Sequence, residues 1–325
     1  MKKIFLDILT ILKFKKKEKS YKRIFFCENK FILNYIKQYI DKKDSCLISY
    51  EKLNLNKDNH YYFENNFFLE FFFYILKIKY FYTSTPNIGE NICRKSLFKK
   101  IKYIYLQHSP VGLINAYNKN AFINFDAINV INKHQISDVL NINKYFKKSI
   151  KYFKSKPNYL KNIYIQTDKK YNLLIAPTWN TNFYENHFLY NLIEILNEHK
   201  INYCFRPHPM SIKKNEFDLK IFKEKKINFD NSTNLNLFPF DNLITDWSGI
   251  MFEFFYLKQK KPILIDTNEK KINKLNIINN YESIENLLRK EIGIIHNKND
   301  LLSIIQTLKN PVNHKNDINK YEIFF

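Results

Sequence analysis

The chain has 325 residues, 45% of them hydrophobic, and a formal net charge of +22. That length holds two domains or one large one, with ample apolar content for packed cores. The charge resembles a nucleic-acid signal, but only Arg23, Arg94, Arg206 and Arg289 among the 53 basic residues are arginine, the residue such binders favour. The joint excess of Lys, Asn, Ile, Phe and Tyr over Gly, Pro and Trp is what an AT-rich coding sequence produces. A nucleic-acid partner is therefore set aside, and the basic surface is read as suited to nucleotides, phosphopolymers or anionic lipid.

The first element expected is a helix. Apolar residues at positions 4, 5, 8, 9, 11 and 12 follow helical spacing, with lysines at both ends. It reads either as a membrane-surface helix or, more simply, as a helix packed on the N-terminal domain. Asp7 interrupts the apolar stretch and no small-residue cleavage site follows, so it is a poor signal peptide. Strand-like runs come next at 21–28, 45–50, 78–85, 103–108 and 127–132, separated by helix-like stretches such as 29–40 and 134–143. The apolar stretch 67–82 is broken by Glu70 and two lysines, and no segment reaches the roughly 20 apolar residues of a membrane span. Residues 144–170 are rich in lysine and tyrosine without periodicity, the best candidate for a boundary.

The second half repeats the theme. Strands are expected at 172–179, 201–209, 226–230, 242–248, 261–266 and 293–297, and helices at 188–200, 249–259 and 299–308. Alternating β–α units imply parallel sheets. The expected organisation is an N-terminal Rossmann-like domain (1–150), a linker (151–170) and a C-terminal Rossmann-like domain (171–325). The two would face one another, with ligand bound at the carboxyl ends of the strands in the cleft between them.

The unusual polar residues fall at those strand ends. Thr178, Trp179 and Asn180 end one strand, Arg206 and His208 the next, and Asp246 and Ser248 a later one. In the first half, Gln107, His108 and Ser109 end the run YIYLQH. In TDWSGIMFE (245–253) a strand passes directly into a helix. Asp246 or Ser248 can cap that helix, its free N–H groups form a ready phosphate site, Gly249 lets the backbone approach a ligand, and Glu253 could reach polyol hydroxyls. In RPHP (206–209) two prolines stiffen the turn that carries a forked cation and an imidazole. His108 is a candidate general base. Each feature alone also fits a plain cap, a surface turn or a structural histidine. No G-x-G-x-x-G, Walker loop, G-x-S-x-G, HExxH or compact DxD occurs, which argues against dehydrogenase, kinase, hydrolase and metal-held diphosphate chemistry. Cys27, Cys46, Cys93 and Cys204 form no CxxC pair, and Cys27 and Cys204 read as buried thiols.

The ordered set QHSP (107–110), APTW (176–179), RPHP (206–209), TDWSGIMFE (245–253) and KKPILID (260–266) resembles the CDP-glycerol glycerophosphotransferase family over roughly residues 100–270. The resemblance implies a GT-B fold and the synthesis of teichoic-acid-type polymers. His108 matches the family's catalytic base. Arg206, His208 and Ser248 match positions that hold the donor's phosphates, with Asp246 and Glu253 the acidic positions beside them. The family's usual patterns are Trp-His-Gly-Thr and Thr-Asp-Tyr-Ser-Ser; here Gln107 replaces Trp, Ser109-Pro110 replaces Gly-Thr, and Gly249 replaces the second Ser. Asn180 stands where a basic residue is common.

The expected reaction moves a polyol phosphate from a CDP-linked donor to a hydroxyl of a glycan or lipid-linked polymer, releasing CMP. His108 acts as base, Arg206 and His208 work on the transferring phosphate, and Thr178, Asp246, Ser248, Gly249 and Glu253 line the donor site. Neither a metal nor an organic cofactor is required. The acceptor implied by the family places the protein at the inner face of a bacterial cytoplasmic membrane. The alternatives are a GT-B glycosyltransferase or epimerase using a nucleotide sugar in capsule or lipopolysaccharide synthesis, and a non-catalytic polyanion binder.

Overall fold

The computed structural model describes residues 2–16, 21–40, 44–53, 59–76, 78–90, 92–157, 159–160, 171–224, 227–230, 236–270, 272, 281–310 and 323–325. Two compact units divide the chain: Met1–His108, Tyr117–Tyr159 and Phe325 in the first, Ser109–Ala116 and Leu160–Phe324 in the second.

The first unit holds α1 (Lys2–Lys16), β1 (Arg23–Cys27), α2 (Lys30–Ile36), β2 (Ser45–Ser49), β3 (His60–Tyr62), α3 (Asn66–Ile75), β4 (Tyr80–Thr83), β5 (Lys102–Tyr105), β6 (Ala127–Val130), α4 (Lys133–Phe146) and β7 (Lys151–Lys154). Its strands form one sheet in the order β3-β2-β1-β4-β5-β6-β7, every pairing parallel. A parallel sheet is covered on both faces, so its strands read as unbroken apolar runs; β2 is buried at all five positions and β1 at four of five. The first sheet extends beyond residue 150, because β7 occupies 151–154, the opening of the expected linker. The stretch 161–170 of that linker lies outside the described residues.

Helix α1 packs on this unit, as the simpler reading had it, but by an unexpected side. Asp7 is fully buried and its carboxylate accepts from the Glu64 and Asn65 N–H groups at 2.9 and 3.1 Å. Burial pushes that carboxyl above its ordinary range even so. Thr10 donates to the Tyr62 carbonyl at 3.2 Å. The helix is thus held inward by polar bonds, while Ile4, Ile8 and Leu12, spaced four apart on one stripe, are exposed. In α3, Leu69, Phe72 and Phe73 are buried and Phe67, Phe71 and Tyr74 are exposed. Glu70 is buried too, gripped by the Arg94 guanidinium at 2.6 Å. No helix among the described residues is long and apolar enough to cross a membrane.

The second unit holds β8 (Tyr171–Ile175), α5 (Phe188–Glu198), β9 (Tyr203–Phe205), α6 (Pro209–Lys213), α7 (Leu219–Glu224), β10 (Phe240–Thr245), α8 (Ile250–Lys258), β11 (Ile263–Asp266), α9 (Ile284–Ile292), β12 (Ile294–Asn297) and α10 (Leu301–Lys309). Its sheet runs β12-β11-β10-β8-β9, all parallel. Counted within the unit this is the order 2-1-3-4-5, whose direction of winding reverses between β8 and β10. The run 226–230, expected as a strand, contributes one isolated bridge, Phe205 with Phe229. All four cysteines are free and buried, and burial pushes the Cys27 thiol up to about 12.

Candidate functional site

Two of the sequence motifs fall at the strand ends where the winding reverses between β8 and β10, the place where open α/β sheets bind ligands. β8 ends into Ala176–Asn180 and β10 into Asp246–Gly249. Asp246 ties these loops together. It is fully buried, and its carboxylate accepts from the Thr178 N–H at 2.8 Å and the Thr181 hydroxyl at 2.7 Å. Burial raises its carboxyl above the ordinary range, against those bonds and the charge of Lys270. The expectation that Asp246 or Ser248 caps α8 is corrected: Gly249 is the N-cap residue, with no side-chain cap bond, because the Asp246 carboxylate is turned toward Thr178 and Thr181. Ser248 is half-buried at the start of α8, where its carbonyl accepts from the Met251 N–H at 3.1 Å. Glu253 is buried in the first turn of α8.

The RPHP turn follows β9. Arg206 is bonded to Asp230 through one arm of its fork at 2.5 Å. His208 caps α6, and its Nδ1 accepts from the Met210 N–H at 3.1 Å. That bond leaves Nε2 as the nitrogen that carries the proton in the neutral ring, so Nε2–H is a donor. The ring centroid lies 6.2 Å from that of Trp179. Pro209 follows as the first helical residue, a position where its missing N–H costs nothing.

Three cationic groups missed in the sequence complete this end of the second unit. The Lys270 amine donates to the Thr178 hydroxyl at 3.2 Å and stands 5.0 Å from the Trp179 ring centroid. Lack of hydration pushes its pKa down to about 8, opposed by Asp246, Glu285 and Glu216. Lys214 stands 4.2 Å from the same ring. Arg289, buried on α9, lies 4.0 Å from the Trp247 ring centroid and donates to the Ile265 carbonyl at 2.7 Å, while the Trp247 indole N–H donates to the Thr267 carbonyl at 3.0 Å. Trp247 is thereby pinned on two sides. Nothing in the TNEKK run distinguishes Lys270 from its neighbours, so only the tertiary contact reveals it.

In the first unit, His108 follows β5, and three tyrosine rings surround it: Tyr35 at 5.4 Å, Tyr105 at 6.3 Å and Tyr117 at 6.4 Å between centroids. The Tyr105 hydroxyl is 3.1 Å from His108 Nδ1 and donates to the Tyr117 hydroxyl at 3.4 Å. We assign the Tyr105 proton to Tyr117, so that the Tyr105 oxygen accepts from Nδ1–H and the ring's lone pair lies on Nε2. The buried Gln107 side chain accepts from the His108 N–H at 3.0 Å and fixes the backbone there. Among the described residues no cluster of histidine, cysteine, aspartate or glutamate could hold a metal ion.

Comparison with known proteins shows the family and the fold. A family model described as CDP-Glycerol:Poly(glycerophosphate) glycerophosphotransferase matches residues 141–322, more than half of the chain. Among solved structures, the wall teichoic acid polymerase TagF is similar, with a TM-score of 0.60 at 16% identity over 98% of this chain and 88% of that one. A substituted form of that polymerase soaked with CDPG matches at 0.60 and 15%, over the same shares. A UDP-N-acetylglucosamine 2-epimerase from Rickettsia bellii matches at 0.57 and 14%, over 93% and 90%. These likenesses establish an α/β fold of the GT-B type, as expected. No curated protein sequence matches the chain.

Proposed function

The chain belongs to the CDP-glycerol:poly(glycerophosphate) glycerophosphotransferase family, and on that premise we propose that it transfers a polyol phosphate from a CDP-linked donor to a hydroxyl of a polymer or glycan, releasing CMP. What supports the reading most is the convergence of Thr178, Lys270 and the start of α8 where the second sheet reverses its winding. Polar donors gathered at such a point suit a nucleoside diphosphate.

His108 Nε2 takes the proton of the acceptor hydroxyl. The acceptor oxygen attacks the phosphorus that bears the polyol, the bond from that phosphorus to CMP breaks, and CMP leaves with the electron pair. The Arg206 fork, His208 Nε2–H, Lys270 and the N–H groups beginning at Ser248 carry the negative charge of the transferring phosphoryl and of the departing CMP. Asp246, fully buried, acts through the loop it holds. Asp246 fixes Thr178, which in turn receives Lys270.

The outward stripe Ile4–Ile8–Leu12 and the exposed aromatics of α3 suit docking on the anionic inner face of a bacterial membrane. The reading is tested by CMP release from CDP-glycerol, with and without a membrane extract as the source of acceptor. Release that requires both the extract and His108 is expected. Release of UDP from a UDP-sugar by the same protein, with CDP-glycerol untouched, would sink the reading in favour of a sugar-nucleotide enzyme.

A further inference from the structure

Two neighbouring strands of the first sheet end in polar groups that the protein itself does not satisfy. β4 and β5 pair in parallel, with Thr83 opposite Tyr105. The chain therefore leaves both strands at one edge, through Ser84 and Thr85 after β4 and through Leu106, Gln107 and His108 after β5. The Leu106 N–H donates to the Thr83 carbonyl at 2.8 Å, tying one exit to the other, and the Thr85 N–H turns back onto the Thr83 hydroxyl at 3.0 Å.

The side chains are not bonded in this way. Ser84 Oγ, Thr85 Oγ1 and Gln107 Nε2 are buried without a hydrogen-bond partner in the protein. Turning the Gln107 amide over does not help, because its Oε1 accepts from the His108 N–H at 3.0 Å and an NH2 group placed there would face another donor. Folds bond nearly all such groups, since an unmet one forfeits its hydration. Three of them at the carboxyl edge of a parallel sheet, where α/β folds bind ligands, mark a place that a ligand completes. Ser84 is fully buried and Gln107 nearly so, while Thr85 is half-buried and brings the set to the surface.

The set carries no charge. Hydroxyl and amide groups meet a ligand that both gives and takes hydrogen bonds, which describes a neutral polyol. The strand ends of the second unit offer Arg206, His208 and Lys270 to phosphate instead. We propose that Ser84, Thr85 and Gln107 form the subsite for the neutral hydroxyls of the acceptor, beside the base His108 in the chain. The inference rests on the function proposed above, which makes the ligand an acceptor and His108 its base.

The test uses Ser84→Ala and Thr85→Val, with Ser45→Ala as the control, because Ser45 Oγ is also buried and unbonded but lies at the start of β2. Melting temperature is read for each, then KM for CDP-glycerol and for a short poly(glycerophosphate) oligomer in the CMP-release assay. Removing an unmet hydroxyl relieves a cost, so all three variants are expected to melt at least about 2 °C higher than the wild type. Ser84→Ala and Thr85→Val each raise the oligomer KM about 3–10-fold and leave the CDP-glycerol KM unchanged. Ser45→Ala moves neither. Lower melting temperatures in both edge variants would show that their hydroxyls are already bonded in the free protein and would overturn the inference. An unmoved oligomer KM, or an equal rise in Ser45→Ala, would overturn it too. A wild-type protein that releases no CMP with either the oligomer or a membrane extract would refute the proposed function instead. Calorimetry with the oligomer alone then decides the subsite: binding weakened by Thr85→Val keeps it as a polyol site, and binding that is absent or unweakened removes it.

Discussion

His108 and His208 both close a strand of a parallel sheet, yet their surroundings assign their nitrogens oppositely. His108 is oriented by a side chain, the Tyr105 hydroxyl, which receives Nδ1–H and leaves a lone pair on Nε2. His208 is oriented by backbone, the Met210 N–H, which occupies Nδ1 and leaves a proton on Nε2. The same residue type is therefore set as an acceptor in one unit and as a donor in the other. The proposed phosphoryl transfer uses one of each: a nitrogen to take a proton from the nucleophile and a nitrogen to face phosphate oxygens without repelling them.

The largest expected effect is on the acceptor side. His108→Ala lowers the rate of CMP release by about 10²–10⁴-fold, the usual worth of a general base, measured at saturating donor. Tyr105→Phe sharpens the comparison. Without the hydroxyl, Nδ1 loses the partner that fixes the tautomer, and turnover falls about tenfold with donor affinity unchanged. On the donor side, Arg206→Lys keeps the fold, judged by circular dichroism and melting temperature, and loses most activity, roughly 10–100-fold, because a point charge cannot replace a fork. Full activity in that lysine variant would remove the argument for a bidentate contact.

Lys270 gives the donor side a pH signature. Its folded pKa of about 8 lies below the unfolded value near 10.4. Between those values the folded protein binds fewer protons than the unfolded chain, so the stability contribution of this group rises with pH through that window. Its charge, and with it the attraction for a diphosphate, is lost over the same window. Donor kcat/KM is therefore expected to fall as pH rises through about 8, and Lys270→Met removes that limb while lowering the plateau. An unchanged alkaline limb in the variant would exclude Lys270 from the donor site. The smallest effect on chemistry is expected at the outward face of α1. The double variant Ile8→Ser, Leu12→Ser leaves CDP-glycerol affinity at the wild-type value and reduces flotation with vesicles containing anionic lipid. Undiminished flotation would remove that face from the membrane contact.

The parts legible in the sequence are those where burial is two-sided. β1, β2, β8, β10 and β11 are apolar runs because both faces of their sheets are covered. β7, KYFK, escaped because it is an edge strand exposed at all four positions, and its lysines read as a linker. Helix α1 was legible as a helix, but its orientation was not. The spacing of Ile4, Ile8 and Leu12 marks a stripe, while the bonds that decide which way the stripe points come from Asp7 to residues 64 and 65, far along the chain. The site divides in the same way. Thr178, Arg206, His208 and Ser248 sit at strand ends, where topology alone makes polar residues conspicuous. Asp246 follows β10, as the motif order implied, but the cap expected of it belongs to Gly249. Lys270 lies in a chain with 53 basic residues, and its contact with Thr178 crosses 92 positions.

The most direct test of the opposed histidines is CDP-glycerol binding measured by titration calorimetry on wild type, His108→Ala and His208→Ala, with CMP release measured on the same samples. The account predicts that His108→Ala binds donor like the wild type and does not turn it over, whereas His208→Ala loses donor affinity by at least about tenfold. Equal loss of binding in both variants, or turnover that survives His108→Ala, would contradict it.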